Sequence, residues 1–128
     1  MATTTNDDKW KLTYWYPSNN HPGEDTSEYI MQRHEAGKAW VFESEPNNER
    51  SYMFARILDD GDNLYAGTWY ETTSPTGEFK GAQYSGAGQL LLSDAGDKLE
   101  GMWAGAGYDH DKKEMKVYSG KWLIEKLN

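Results

Sequence analysis

The sequence predicts an all-β protein, an eight-stranded antiparallel up-and-down β-barrel with no substantial helix. Apolar and polar residues alternate at a period of two over most of the 128 residues, whereas an amphipathic helix repeats every 3.6 residues. Turn signals rich in Gly and Asp separate many short segments of this kind, as in sandwiches and barrels. Tight and long connections also alternate along the chain. In an up-and-down meander, that alternation places all the tight turns at one end.

Eight strands are predicted, in chain order, at residues 9–16, 28–34, 38–44, 51–58, 63–72, 82–93, 98–106 and 114–126. The tight turns at 35–37, 59–62 and 94–97 close one end, here called the floor. Longer connections surround the other end, the mouth, at 17–27, 45–50, 73–81 and 108–113. We expect residues 1–8 to form a flexible N-terminus and residues 9–128 a single domain. Closure would remove the strand edges and leave both termini at the floor.

Each strand offers one richer face to the barrel interior, because side chains alternate between the two faces of a strand. The predicted inward residues, strand by strand, are Trp10, Leu12, Tyr14 and Tyr16; Tyr29, Met31 and Arg33; Trp40 and Phe42; Tyr52, Phe54, Arg56 and Leu58; Tyr65, Gly67, Trp69 and Glu71; Tyr84, Gly86, Gly88, Leu90 and Leu92; Leu99, Gly101, Trp103 and Gly105; and Tyr118, Gly120, Trp122 and Ile124. A slip of one residue would reverse the assignment of any strand.

Composition excludes several classes of protein. The formal net charge of −8 is opposite to the basic surface that nucleic-acid binding requires. The chain has no cysteine, which excludes disulfides and thiolate metal sites. Its longest aliphatic run is Leu90–Leu92, far shorter than a membrane span, and the N-terminus lacks the apolar stretch of a secretory signal. We therefore expect a cytoplasmic protein with no membrane partner.

The aromatic residues at the mouth predict a ligand site. In this arrangement every strand contributes one ring near the long loops, while aliphatic residues gather at the floor. The candidate polar groups are Glu71, Arg56, Arg33 and Gln83, since pockets are mostly apolar with a few placed polar groups. The predicted ligand-binding residues are Tyr14, Tyr29, Phe42, Tyr52, Arg56, Trp69, Glu71, Tyr84, Trp103 and Tyr118. Gly105 and Gly107 have no side chains, and a ligand could occupy the space above them in place of a ring. The loop 17–27 is a candidate lid.

The last half of the chain carries four motifs in order: G-T-W-x-E from Gly67, S-P-T-G-x-[FY]-x-G-A-x-Y from Ser74, L-x-G-x-W-x-G from Leu99 and S-G-x-W from Ser119. In these motifs the chain resembles the C-terminal sensor-like domain of bacterial helix-turn-helix regulators of the XRE type. The resemblance implies a regulatory role for a stand-alone version of that domain. Because no helical DNA-binding domain precedes the motifs, we expect no direct DNA binding.

At the level of architecture the chain is similar to lipocalin, fatty-acid-binding and streptavidin-like barrels. It is also similar in layout to the cyclic-oligonucleotide-sensing barrels of bacterial anti-phage effectors. Such likeness concerns the fold and says little about function.

The sequence thus favours a non-catalytic barrel that binds a small molecule, aromatic or nucleotide-like, as a sensor or sequestering protein. No nucleophile motif or Ser-His-Asp spacing supports an enzyme, and His110 between two aspartates lacks further metal ligands, so no cofactor is expected. Two alternatives remain. One is an interaction barrel with a filled core, whose outward apolar residues, such as Trp15, Val41 and Met53, would favour a homodimer. The other is a barrel that binds a cyclic nucleotide or a carbohydrate.

Overall fold

The strands close into a single barrel. The computed structural model describes residues 8–18, 21–45, 51–73, 75–76, 81–109 and 112–127. Each strand pairs antiparallel with its neighbours in sequence, and the last pairs with the first. The strands are β1 (Lys9–Pro17), β2 (Glu24–Ala36), β3 (Ala39–Ser44), β4 (Tyr52–Asp59), β5 (Leu64–Thr72), β6 (Gln83–Leu92), β7 (Lys98–Asp109) and β8 (Glu114–Lys126). The predicted fold class is confirmed.

The floor collects both ends of the described chain and the tight turns. Trp10 of β1 lies opposite Lys126 of β8, so the first and last strands meet there as predicted. Gly37 and Gly61 adopt positive φ angles of 65° and 91° in the turns after β2 and β4, which glycine does without a steric penalty. No helix in the described part of the chain is long and apolar enough to cross a membrane.

Two of the four mouth connections are shorter than expected. β2 begins at Glu24 rather than at residue 28, because Pro17 to Tyr14 pair with residues 24–27. The connection between β1 and β2 therefore spans only residues 18–23, and the predicted eleven-residue lid over the mouth is wrong. Similarly, β7 extends to Asp109, which shortens the last mouth connection.

The core fills the lower part of the barrel with inward side chains from every strand. The deepest are Trp10, Leu12, Met31, Phe42, Ile57, Leu90, Leu99, Trp122 and Ile124. The alternation predicted for seven of the strands is observed, including the burial of Tyr29 on β2, Tyr65 on β5 and Trp103 on β7. A barrel of eight strands is just wide enough for side chains to fill it.

Aromatic rings and one arginine close the floor together with the predicted aliphatic residues Leu92 and Leu99, which lie beside the tight turn between β6 and β7. Arg33 stacks over Trp40 at 4.3 Å from the ring centre, and its Nε donates to Asp8 at 2.7 Å. The Trp10 indole N–H donates to the other oxygen of Asp8, also at 2.7 Å. Trp40 in turn packs on Tyr65 with ring centres 4.9 Å apart. Asp8, assigned from sequence to the flexible N-terminus, thus contacts two floor residues.

The predicted face of β4 is wrong. Met53, Ala55 and Ile57 are buried, whereas Arg56 and Leu58 are exposed. The sequence Tyr-Met-Phe-Ala-Arg-Ile-Leu-Asp has apolar residues on both alternations, and the larger aromatic set misled the assignment. The observed register keeps the charge of Arg56 in water, and burying an unpaired charge is costly.

Candidate functional site

The site begins with a buried carboxylate close to the mouth. Glu71 lies next to the last residue of β5, where the alternation that buries Tyr65 also directs its side chain inward. Only 5% of Glu71 is exposed to solvent. A charged side chain is rarely buried to this extent unless it is paired or hydrogen-bonded. Its partners therefore decide what the site can do.

Two tyrosines reach this carboxylate from the other side of the barrel. Tyr29 of β2 donates its hydroxyl to Glu71 Oε2 at 2.6 Å. Tyr14 of β1 shares its hydroxyl between Oε2 at 2.8 Å and Oε1 at 2.9 Å. In a ring of eight strands β1 and β5 lie opposite each other, so these bonds cross the lumen. Glu71, Tyr14 and Tyr29, here the Glu71 cluster, form a polar layer above the apolar core.

The electrostatics of the cluster follow from its burial. Removal from water raises the pKa of the Glu71 carboxyl above its usual range, and the hydrogen bonds from Tyr29 and Tyr14 partly oppose that rise. Burial and the neighbouring carboxylate together raise the pKa of Tyr14 far above its ordinary value, so this hydroxyl remains a donor. Within the described residues no lysine, arginine or histidine forms an ion pair with Glu71.

Two indole rings stand beside the cluster on surfaces made by glycines. A Cβ added at Gly105 would lie 2.6 Å from the Trp69 ring, and one at Gly86 would lie 2.7 Å from it. A Cβ at Gly120 would lie 2.9 Å from the Trp103 indole nitrogen. The late-strand glycines thus let neighbouring rings lie against the backbone. Gly105, predicted to be open to a ligand, is instead covered by Trp69.

The indole rings of Trp69 and Trp103 pack against each other, and Trp103 also packs against Tyr14 of the Glu71 cluster. Trp103 and Trp69 meet edge to face with ring centres 5.8 Å apart, and Trp103 meets Tyr14 in the same way at 6.0 Å. The Trp103 N–H donates to the backbone carbonyl of Trp15 at 2.9 Å. As predicted, Trp103 is buried beside Gly120. Edge-to-face contacts of this kind favour one ring orientation.

Three half-buried tyrosines, the rim, surround the cluster on its mouth side: Tyr16, Tyr84 and Tyr118. Tyr16 packs on Tyr14 with ring centres 5.6 Å apart. Tyr84 lies opposite Glu71 in the β5–β6 pairing, and burial, followed by the negative charge of Glu71, raises its pKa. A Cβ at Gly107 would lie 3.2 Å from the ring of Tyr118, so this glycine is covered as well.

The structure brings together seven of the ten predicted ligand-binding residues around the mouth: Tyr14, Tyr29, Trp69, Glu71, Tyr84, Trp103 and Tyr118. Tyr16 was placed inward but not included in the predicted site. The Tyr14-x-Tyr16 spacing could have revealed it, because residues two apart share a face.

Three predicted residues lie elsewhere. Arg56 is exposed on the outer surface, and Tyr52 also follows the outward alternation of β4, donating to exposed Glu43 at 2.7 Å. Phe42 packs on Trp10 near the floor, with ring centres 5.6 Å apart, because the strand stagger places it opposite Arg33 rather than beside the mouth. Barrel strands are tilted, so equal positions along different strands lie at different heights.

In the part of the chain that the structure describes, no group of three or more His, Asp or Glu side chains is placed where it could hold a metal ion. His110 lies outside the described residues.

Comparison with known proteins gives no relative: no protein-family model, no curated protein and no solved structure matches the chain. The likeness to regulator sensor domains stays a prediction.

Proposed function

We propose that the barrel binds a small molecule at its mouth without transforming it, as a sensor or sequestering domain. The observation that carries the proposal is the Glu71 cluster. A carboxylate is buried among aromatic rings where two tyrosines position it, yet no ion pair in the described residues offsets its charge. Orienting polar groups within aromatic walls are the usual composition of a ligand site.

The position of the cluster supports binding rather than mere filling of the core. Below the cluster, side chains such as Leu12 and Ile57 are fully buried, and these packed side chains fill the interior. Above it, the rim tyrosines are only partly buried, so the polar layer is the deepest level that a molecule entering from the mouth would meet.

Native mass spectrometry of the purified protein tests the proposal, because a tightly held molecule remains bound and is weighed with the chain. A thermal-shift screen of amines, nucleotides, aromatic metabolites, lipids and sugars complements it. A ligand at one hundred times its dissociation constant stabilises the native state by about 2.7 kcal/mol. We expect a hit that Trp69→Ala weakens. The absence of both a co-purified molecule and any stabilising compound would exclude the proposal.

A second candidate function, self-association through the outer wall, rests on a different surface. Met115 and Val117, successive outward residues of β8, are each more than half exposed, as is Met102 on the neighbouring β7, and exposed apolar surface is typical of interaction sites. The surface first suggested by sequence included Met53, but that side chain is buried. Light scattering tests this candidate: a homodimer that Met102→Lys and Val117→Lys convert to a monomer would support it.

A further inference from the structure

We propose that the ligand is a small organic cation, whose ammonium or guanidinium group pairs with the carboxylate of Glu71. This inference rests on the proposed function and names its chemical class. It follows from three features of the described residues: the unused acceptor capacity of Glu71, the absence of a competing cation in the interior, and the rings around the carboxylate.

The carboxylate of Glu71 is incompletely used. An ionised carboxylate offers about four acceptor positions, and only two hydroxyl protons, from Tyr14 and Tyr29, fill them here. Oε1 receives only a share of the Tyr14 hydroxyl, at 2.9 Å. A glutamine would accept the same two hydroxyls at a lower cost of burial, because it carries no charge. Pairing with a positive group would offset the cost of burying a negative charge at this place.

The two arginines of the described residues lie away from Glu71, and no lysine of the described residues forms an ion pair with it. Arg33 is held at the floor by Asp8 and Trp40, below the packed core, and Arg56 is on the outer surface. Arg50 and Lys80 lie outside the described residues. A partner for Glu71 would therefore approach from the mouth, and the net charge of −8 favours the arrival of cations over anions.

The rings complete a site suited to a cation. Trp69 and Trp103 stand beside the Glu71 cluster, and aromatic faces attract ammonium and guanidinium groups, most strongly when water is excluded. Lys116 already shows this preference at the rim, with Nζ 5.4 Å from the ring centre of Tyr118. An anionic ligand would instead bring its charge close to that of Glu71.

Three probes of nearly equal size and shape test the charge preference on the full chain: benzylammonium, benzyl alcohol and benzoate, titrated at pH 7 and followed by calorimetry or NMR. For so small a probe we expect benzylammonium to bind with a dissociation constant of about 1 mM. The neutral alcohol should bind at least about tenfold more weakly. Benzoate, which repels Glu71, should not bind.

Variants then assign the preference to Glu71. Glu71→Gln retains an oxygen for both tyrosines and should weaken benzylammonium binding by about thirtyfold or more, since losing one member of a buried charge pair is costly. Glu43→Gln, which removes an exposed carboxylate on the outer face of β3, is the matched control and should bind as wild type. Lys116→Gln should bind benzylammonium equally or more tightly.

The outcomes separate this inference from the proposed function. Benzyl alcohol or benzoate binding as tightly as benzylammonium would overturn the cation and leave mouth binding intact. Equal benzylammonium affinity in Glu71→Gln and wild type would do the same. Failure of all three probes, together with an empty thermal-shift screen, would overturn both. Because the probe comparison uses the wild type alone, it decides the charge preference even if Glu71→Gln does not fold.

Discussion

At the scale of single residues, Trp103 belongs to the buried core and also contacts the Glu71 cluster near the mouth. Its ring is 8% exposed, meets Trp69 and Tyr14 edge to face and donates to the Trp15 carbonyl. We expect Trp103→Ala to lower the free energy of unfolding by roughly 3–5 kcal/mol, measured by urea denaturation. Met102→Ala on the outer face of the same strand should change it by no more than about 0.5 kcal/mol. Equal effects of the two substitutions would contradict the observed face of β7.

Glu71 makes stability depend on pH. Because burial raises the pKa of Glu71 in the folded protein, the folded state holds this proton more tightly than the unfolded chain does. The resulting stabilisation is complete below the unfolded pKa, near 4.5, and disappears as pH rises through the raised folded value. The free energy of unfolding of the wild type should therefore fall, relative to that of Glu71→Gln, as pH increases through this window.

Urea denaturation of both proteins at several pH values measures that difference and cancels the contributions of other groups. Glu43→Gln, at an exposed carboxylate, should follow the wild type and serves as the control. A wild-type curve parallel to that of Glu71→Gln at every pH would show that Glu71 keeps its ordinary pKa on folding, against its observed burial.

At the scale of elements, β4 distinguishes the observed register from the one that sequence predicts. Ile57 is fully buried and lies opposite Trp40 and Gly67 on the neighbouring strands, whereas Arg56 is exposed. Ile57→Ala should destabilise the protein by about 2–5 kcal/mol, and Arg56→Ala should change stability by about 0.5 kcal/mol or less. Thermal unfolding of both variants gives the answer, and the reverse order would restore the predicted register.

What the sequence could predict depends on how each element is specified. Alternation identified the inward face where only one face was rich in large apolar residues, as in β1 with Trp10 and Leu12. It failed in β4, where Tyr52 and Phe54 competed with Met53 and Ile57. Alternation could not predict the hydrogen bond between Tyr14 and Glu71. Pairing rules relate adjacent strands, whereas this hydrogen bond crosses the lumen between opposite ones. The height of Phe42 depends on strand stagger, which alternation does not encode.

At the scale of the whole molecule, the closed barrel predicts a specific cross-link between β1 and β8. Lys11 lies opposite Glu125 across this seam, and paired Cα atoms of antiparallel strands lie about 4.5–5.5 Å apart, within reach of a disulfide. The chain has no cysteine of its own, so Lys11→Cys with Glu125→Cys should form a single defined bond on oxidation. The bond would join strands from both ends of the sequence and stabilise the fold by up to about 4–5 kcal/mol. Lys11→Cys with Glu100→Cys is the control, since β7 does not pair with β1, and it should remain reduced as a monomer. Mass spectrometry of the oxidised proteins, followed by urea denaturation, measures both effects; a barrel open between β1 and β8 would leave the first pair unlinked as well.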